Sequence, residues 1–173
     1  VLGNRANPCC FPYIWSCPEG YYIADDTNSM VSPEMHLEYS VNYINRITEA
    51  AGPVHYHSCT LLPHYFDNVL KIRNPKAINW SIIVSCDPAE IIKAFSGKTV
   101  LAPHIHLNMH KELKDPALAK LFREEYDIVK YLLDNMRDNT TMYLQFYDDL
   151  VADTKKMMRI YELLDDYGYT PKV

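Results

Sequence analysis

His57 and Cys59, in the run Pro-Val-His-Tyr-His-Ser-Cys-Thr over residues 53–60, pair an imidazole with a thiol at a spacing of two. That combination suits zinc, and a catalytic zinc needs three protein ligands with one coordination position open. The segment leading into the pair alternates like a strand, so both groups fall at a strand's C-terminal tip. Parallel α/β folds keep their chemistry at that end. The plain alternative is a histidine hydrogen-bonded at a strand end beside an inert buried cysteine.

Other candidates stand at the same kind of position. Asp25 and Asp26 end an earlier strand, where a carboxylate can move a proton or hold a histidine ligand in place. Cys86 follows a third strand, just before a helix start. His104 and His106 follow a fourth, and alternation sends residues two apart to one side, where they could bind a metal, a cofactor or an acidic substrate group. Read plainly, these are loop carboxylates, a small apolar residue and a solvated loop. Cys9, Cys10 and Cys17 match no zinc or iron–sulfur spacing. Phe11, Tyr13 and Trp15 beside them could line an apolar pocket.

The elements that must position these groups alternate in type. After an irregular lead-in over 1–19, the reading is strand 20–24, then a helix entered at Ser32-Pro33 and stopped by Gly52. Strand 54–57, a short helix over 63–70, a turn at Asn74-Pro75 and strand 77–84 follow. A helix from Asp87-Pro88 to Phe95 leads to strand 99–102. One long helix is expected from Asp115-Pro116 through Met136, with Leu118, Phe122, Val129 and Leu132 on its buried stripe. A fifth strand over 142–147 and a helix over 153–167 close a single domain spanning 1–173. Repeated β-α units imply parallel strands joined by right-handed crossovers. The fold class is therefore α/β. The spacing allows a compact open sheet or part of a barrel, because a whole eight-stranded barrel takes about 250 residues.

Bulk properties exclude some roles. A formal charge of −5 disfavours nucleic acid and anionic membrane as partners. No apolar run approaches the roughly 20 residues of a spanning helix. Five cysteines, an odd number, read as reduced thiols in a cytoplasmic protein.

The ordered set Tyr21-Tyr-Ile-Ala-Asp-Asp26, Ser32-Pro-Glu-Met35, His57-Ser-Cys59, Cys86-Asp-Pro88 and Gly97-Lys-Thr-Val-Leu-Ala102 resembles the C-terminal half of the uroporphyrinogen decarboxylase superfamily. The likeness runs from about residue 20 to 149. It implies the C-terminal half of a (β/α)8 TIM barrel, with the first strands of the barrel absent, and two half-barrels that could complete one another in a homo-oligomer. Within the superfamily, the His-x-Cys pair points to the zinc-dependent methyltransferases. There His57 and Cys59 would hold Zn2+, and Asp25 or Asp26 would assist proton movement. A small thiol would accept a methyl group from a corrinoid (cobalamin-type) carried on a partner protein. Two departures stand out: Thr60 replaces a frequent glycine, and residues 142–149 lack the expected third cysteine ligand. Cys86, His104 or His106 would have to substitute. The alternatives are a metal-free tetrapyrrole-binding decarboxylase relative and a truncated, non-catalytic binding module.

Overall fold

The computed structural model describes residues 21–169; the expectations for Gly20, for Cys9, Cys10 and Cys17 and for the neighbouring aromatics lie outside them. Among the described residues six strands form one sheet: β1 (Tyr21–Ala24), β2 (Val54–Ser58), β3 (Pro75–Ser81), β4 (Val100–Ile105), β5 (Thr141–Met142) and β6 (Gln145–Phe146). Their order is β1-β2-β3-β4-β5, with β6 also on β4, and every pairing is parallel. The chain is thus α/β with a parallel sheet laid down in sequence order.

Helices fill each crossover, and their starts follow local chemistry. Ser32, Asp87, Asp115 and Asp153 each cap a helix by accepting a backbone N–H, from Met35, Ala89, Ala117 and Lys156. The first crossover is continuous: α1 (Pro33–His36), a π-helical turn (Leu37–Val41) and α2 (Asn42–Ala51). Gly52, at φ 102 and ψ −165, ends it two residues before β2. The next crossovers carry a 3-10 turn (Pro63–Tyr65) with α3 (Phe66–Val69), and then α4 (Pro88–Phe95).

Several expectations change. The long helix is two, α5 (Pro116–Leu121) and α6 (Glu125–Asp134). The apolar stripe carries on across the break, but Glu124 and Asp127 form a capping box that starts a new helix. The fifth strand is split into β5 and β6. Leu101 and Ile105 of β4 accept from Tyr143 and Tyr147 on that side, so Pro103 between them faces it too and has no N–H to offer. Finally, β3 begins and ends earlier than the apolar run suggests, because the chain turns after Ser81 (Ser85 N–H to Ser81 C=O, 3.3 Å). The last two helices among the described residues are α7 (Asp148–Val151), which the sequence reading lacks, and α8 (Thr154–Asp166). No helix among the described residues is long and apolar enough to cross a membrane.

The two faces of the sheet differ in kind. Alternation puts Tyr56, Ile78, Trp80, Leu101 and Ile105 on one face, where they join the main apolar core. The other face carries His55, His57, Asn79, His104 and Gln145, all buried as well. A buried face lined with polar side chains is costly unless each is partnered, so it marks the place to look for chemistry.

Gly52 sits in a backbone region that is essentially glycine-only, and it sets where β2 begins. Gly52→Ala is expected to lower stability by about 1–3 kcal/mol in urea unfolding; an unchanged midpoint would show that the turn tolerates a side chain.

Candidate metal centre

The rungs of the parallel ladder bring the site together. Ala24 pairs with His57, and His57 pairs with Asn79. Asp25 N–H then donates to His57 C=O at 2.8 Å, the rung that holds the end of β1 against β2. From there the two aspartates part company.

Asp26 turns toward β2. Its Oδ1 accepts from Cys59 N–H at 2.7 Å and lies 3.4 Å from His57 Nε2. His57 Nε2 is 3.3 Å from Cys59 Sγ. One carboxylate oxygen, one imidazole nitrogen and one thiol sulfur therefore lie within 4.8 Å of one another, a possible metal-binding triad. His57 is buried, while Asp26 and Cys59 are exposed, so the cluster sits at the mouth of the polar face. Burial, and then the Asp26 carboxylate, push the Cys59 thiol up to about 11.

The other nitrogen of His57 is held from behind. Its Nδ1 makes a short hydrogen bond with Asn79 Oδ1, and Asn79 Nδ2 donates to Ala102 C=O (2.6 Å) and Gln145 Oε1 (3.3 Å). With both amide hydrogens of Asn79 committed to oxygens, its Oδ1 must accept, so the His57 proton sits on Nδ1. Nε2, the other ring nitrogen, is directed at Asp26 and Cys59. The sequence candidates do not include Asn79, although a polar residue inside the run Ala-Ile-Asn-Trp is a readable signal.

His104 is not in a loop: it is the fifth residue of β4, buried, with its ring 5.4 Å from and nearly parallel to that of His57. Tyr147 OH holds its Nδ1 at 3.1 Å, and its Nε2 has no hydrogen-bond partner among the described residues. Burial, followed by the neighbouring His57, His55 and His106, presses its pKa down to about 3. His106 is half-buried beyond the strand end; its ring meets the same Tyr147 at 5.9 Å, so the two histidines do share a side. Its one hydrogen bond among the described residues is from Nδ1 to the adjacent Leu107 carbonyl at 3.3 Å. Cys86 is not part of the cluster. It packs against the apolar core, its Sγ–H directed at Asp87 C=O (3.7 Å), and burial, Glu90 and Asp87 push it up to about 12.

Asp25 turns the opposite way, into the π-helical turn. Its Oδ2 accepts from His36 Nε2 (2.9 Å), Ser40 Oγ (2.5 Å) and Tyr56 OH (3.1 Å). Burial alone would raise its pKa, but those three donors hold the carboxyl below the usual value.

No family model matches this sequence, and no curated protein and no solved structure matches it either.

Two outcomes are expected from this geometry. Asn79→Ala leaves His57 Nδ1 and Ala102 C=O without their partner, and is expected to cost about 1–3 kcal/mol in denaturant unfolding. A loss below a few tenths would show that water replaces the amide. His104 has a folded pKa near 3 against an ordinary value of 6.5. The unfolded chain therefore binds the extra proton first, and stability falls as pH drops from about 6.5 toward 3. In metal-free protein, His104→Gln should flatten that part of the stability–pH curve; an unchanged slope would place the dependence elsewhere.

Proposed function

We propose that Asp26, His57 and Cys59 hold one zinc ion, and that the chain is a thiol-activating methyltransferase domain of the uroporphyrinogen decarboxylase kind. The single observation that carries this is the convergence of carboxylate, imidazole and thiol within 4.8 Å at the C-terminal ends of β1 and β2. In this reading Asp26 takes the place of the absent third cysteine, rather than Cys86, His104 or His106.

The residues fit a zinc ion in three respects. Mixed S, N and O donors suit its borderline-soft character, and three of them leave a position open. His57 is held by its second nitrogen on an amide oxygen, the support that metal-bound imidazoles have. The local field also calls for a cation: Asp26 makes no ion pair with a lysine or arginine among the described residues, and the Cys59 thiol is pushed up rather than down. A bound zinc ion lowers the pKa of a coordinated thiol and presents it as thiolate. Around it, Asn79 fixes the His57 ring and Asp26 ties down the Cys59 backbone. His104, neutral, stacks on the His57 ring from β4. A corrinoid on a partner protein is the methyl source.

Strand order supports the half-barrel part of this reading. Doubly wound sheets reverse direction at a switch point, whereas barrels add strands in sequence, as β1 to β5 do. A metal-free decarboxylase needs cations for several substrate carboxylates, and these strand ends carry Asp25, Asp26, Asp148 and Asp149 instead.

One observation favours a second reading. Cys59, His57 and Asn79 stand as nucleophile, base and orienting amide. Asp26 weakens it, because it both raises the thiol and occupies the Cys59 N–H that would stabilise an oxyanion.

Elemental analysis of the purified chain tests the proposal. About one zinc per chain is expected. It should be lost in His57→Ala and Cys59→Ser, bound at least tenfold more weakly in Asp26→Asn, and retained in Cys86→Ser. The loaded chain should speed methylation of a small thiol by methylcobalamin. A well-folded sample without zinc, or zinc that follows Cys86 instead, would sink the assignment.

A further inference from the structure

The Asp25 cluster lies outside the metal centre and contains an asymmetry that packing alone leaves unexplained. Asp25 is 6% exposed, yet all three of its donors converge on Oδ2. Oδ1 accepts no hydrogen bond from any described residue, and it is not among the buried polar atoms sealed from solvent. A cavity of about 200 Å³ opens onto this carboxylate. Its other walls include Val31, Met35, Tyr39 and Ser40.

The donors of the cluster are set by its geometry. Asn68 Nδ2 donates to Pro33 C=O at 2.6 Å and lies 3.5 Å from His36 Nδ1. His36 Nε2 faces Asp25 Oδ2 at 2.9 Å, beside the Ser40 and Tyr56 hydroxyls. Among the described residues Asp25 pairs only with His36, and with no lysine or arginine.

We infer that the cavity over Asp25 Oδ1 binds a small organic ammonium ion. An N–H of such an ion supplies the donor that Oδ1 lacks, and its charge balances the carboxylate. The Tyr39 ring at the rim can face the cation, and Met35 and Val31 suit a short alkyl body. A hard metal ion fits poorly, because six or more oxygen ligands are its requirement and one carboxylate oxygen is on offer. The size is in keeping: 200 Å³ is the share of about six or seven waters. Ser40 reaches Asp25 from the π-helical turn Leu37–Val41, a helix irregularity that recurs at functional sites. This site is independent of the zinc reading, since it uses the other aspartate and the other side of β1's end.

Calorimetric titration of the full chain, treated with chelator and kept at low salt, tests the inference with n-butylammonium and its neutral isostere 1-butanol. Saturable one-site binding of butylammonium is expected, at least tenfold tighter than butanol, and unchanged when zinc is restored. Asp25→Asn should weaken it at least tenfold. Met35→Trp, which narrows the mouth without touching the hydrogen bonds, should do the same while the circular dichroism spectrum stays native. No binding, equal response to butanol, affinity unaltered in a folded Met35→Trp variant, or preference for magnesium or calcium would each overturn it.

Discussion

The parallel register of β1, β2 and β3 is the constraint on which the rest of this molecule depends. One set of rungs puts Ala24, His57 and Asn79 side by side, and the next backbone bond, Asp25 N–H to His57 C=O, leaves Asp26 level with Cys59. A slip of one residue in either pairing would turn His57 to the apolar face and bring Tyr56 or Ser58 to the polar one. The penalty is large because both faces are buried: Trp80 and Ile78 would face polar neighbours, and imidazoles would face the helices. Apolar packing on one side of the sheet thus enforces the geometry of the chemistry on the other.

The polar face is stable because its groups are chained together. Asn79 links β2 to β4 and to β6, through His57, the Ala102 carbonyl and Gln145. Tyr147 holds His104, and His104 stacks on His57. Such a network fixes ring orientation in a low-dielectric setting, where an unpaired group is costly and a paired one is held firmly. His104 Nε2 is buried with no hydrogen-bond partner among the described residues. In a neutral histidine it can offer a lone pair or a proton to an incoming group, depending on what Tyr147 does at Nδ1.

Asp25 and Asp26 show how a doublet at a strand end can serve two sites. The last residues of an extended segment point to opposite sides, so adjacent carboxylates diverge. One faces His57 and Cys59, where sulfur and imidazole accompany it. The other enters the π-helical turn, where two hydroxyls and an imidazole crowd one oxygen and leave its twin to a cavity. The same residue type in consecutive positions therefore has different partners.

What the sequence determined by itself was local. Alternating apolar and polar residues, the caps Ser32, Asp87 and Asp115, and the stop at Gly52 act within a turn or two of chain, and they set the β-α order and the position of His57 and Cys59 at a strand end. Even there the continuous apolar stripe hid the break at Glu124, because a capping box depends on two side chains and not on periodicity. The tertiary structure decided which groups meet: Asp26 and not Cys86 beside His57, Asn79 behind it, His104 inside β4 rather than in the loop after it. Those meetings join residues 22 to 66 positions apart, as His57 with Asn79 and Asn79 with Gln145 illustrate. They follow from strand register and from Pro103 interrupting one ladder, and no local spacing encodes either.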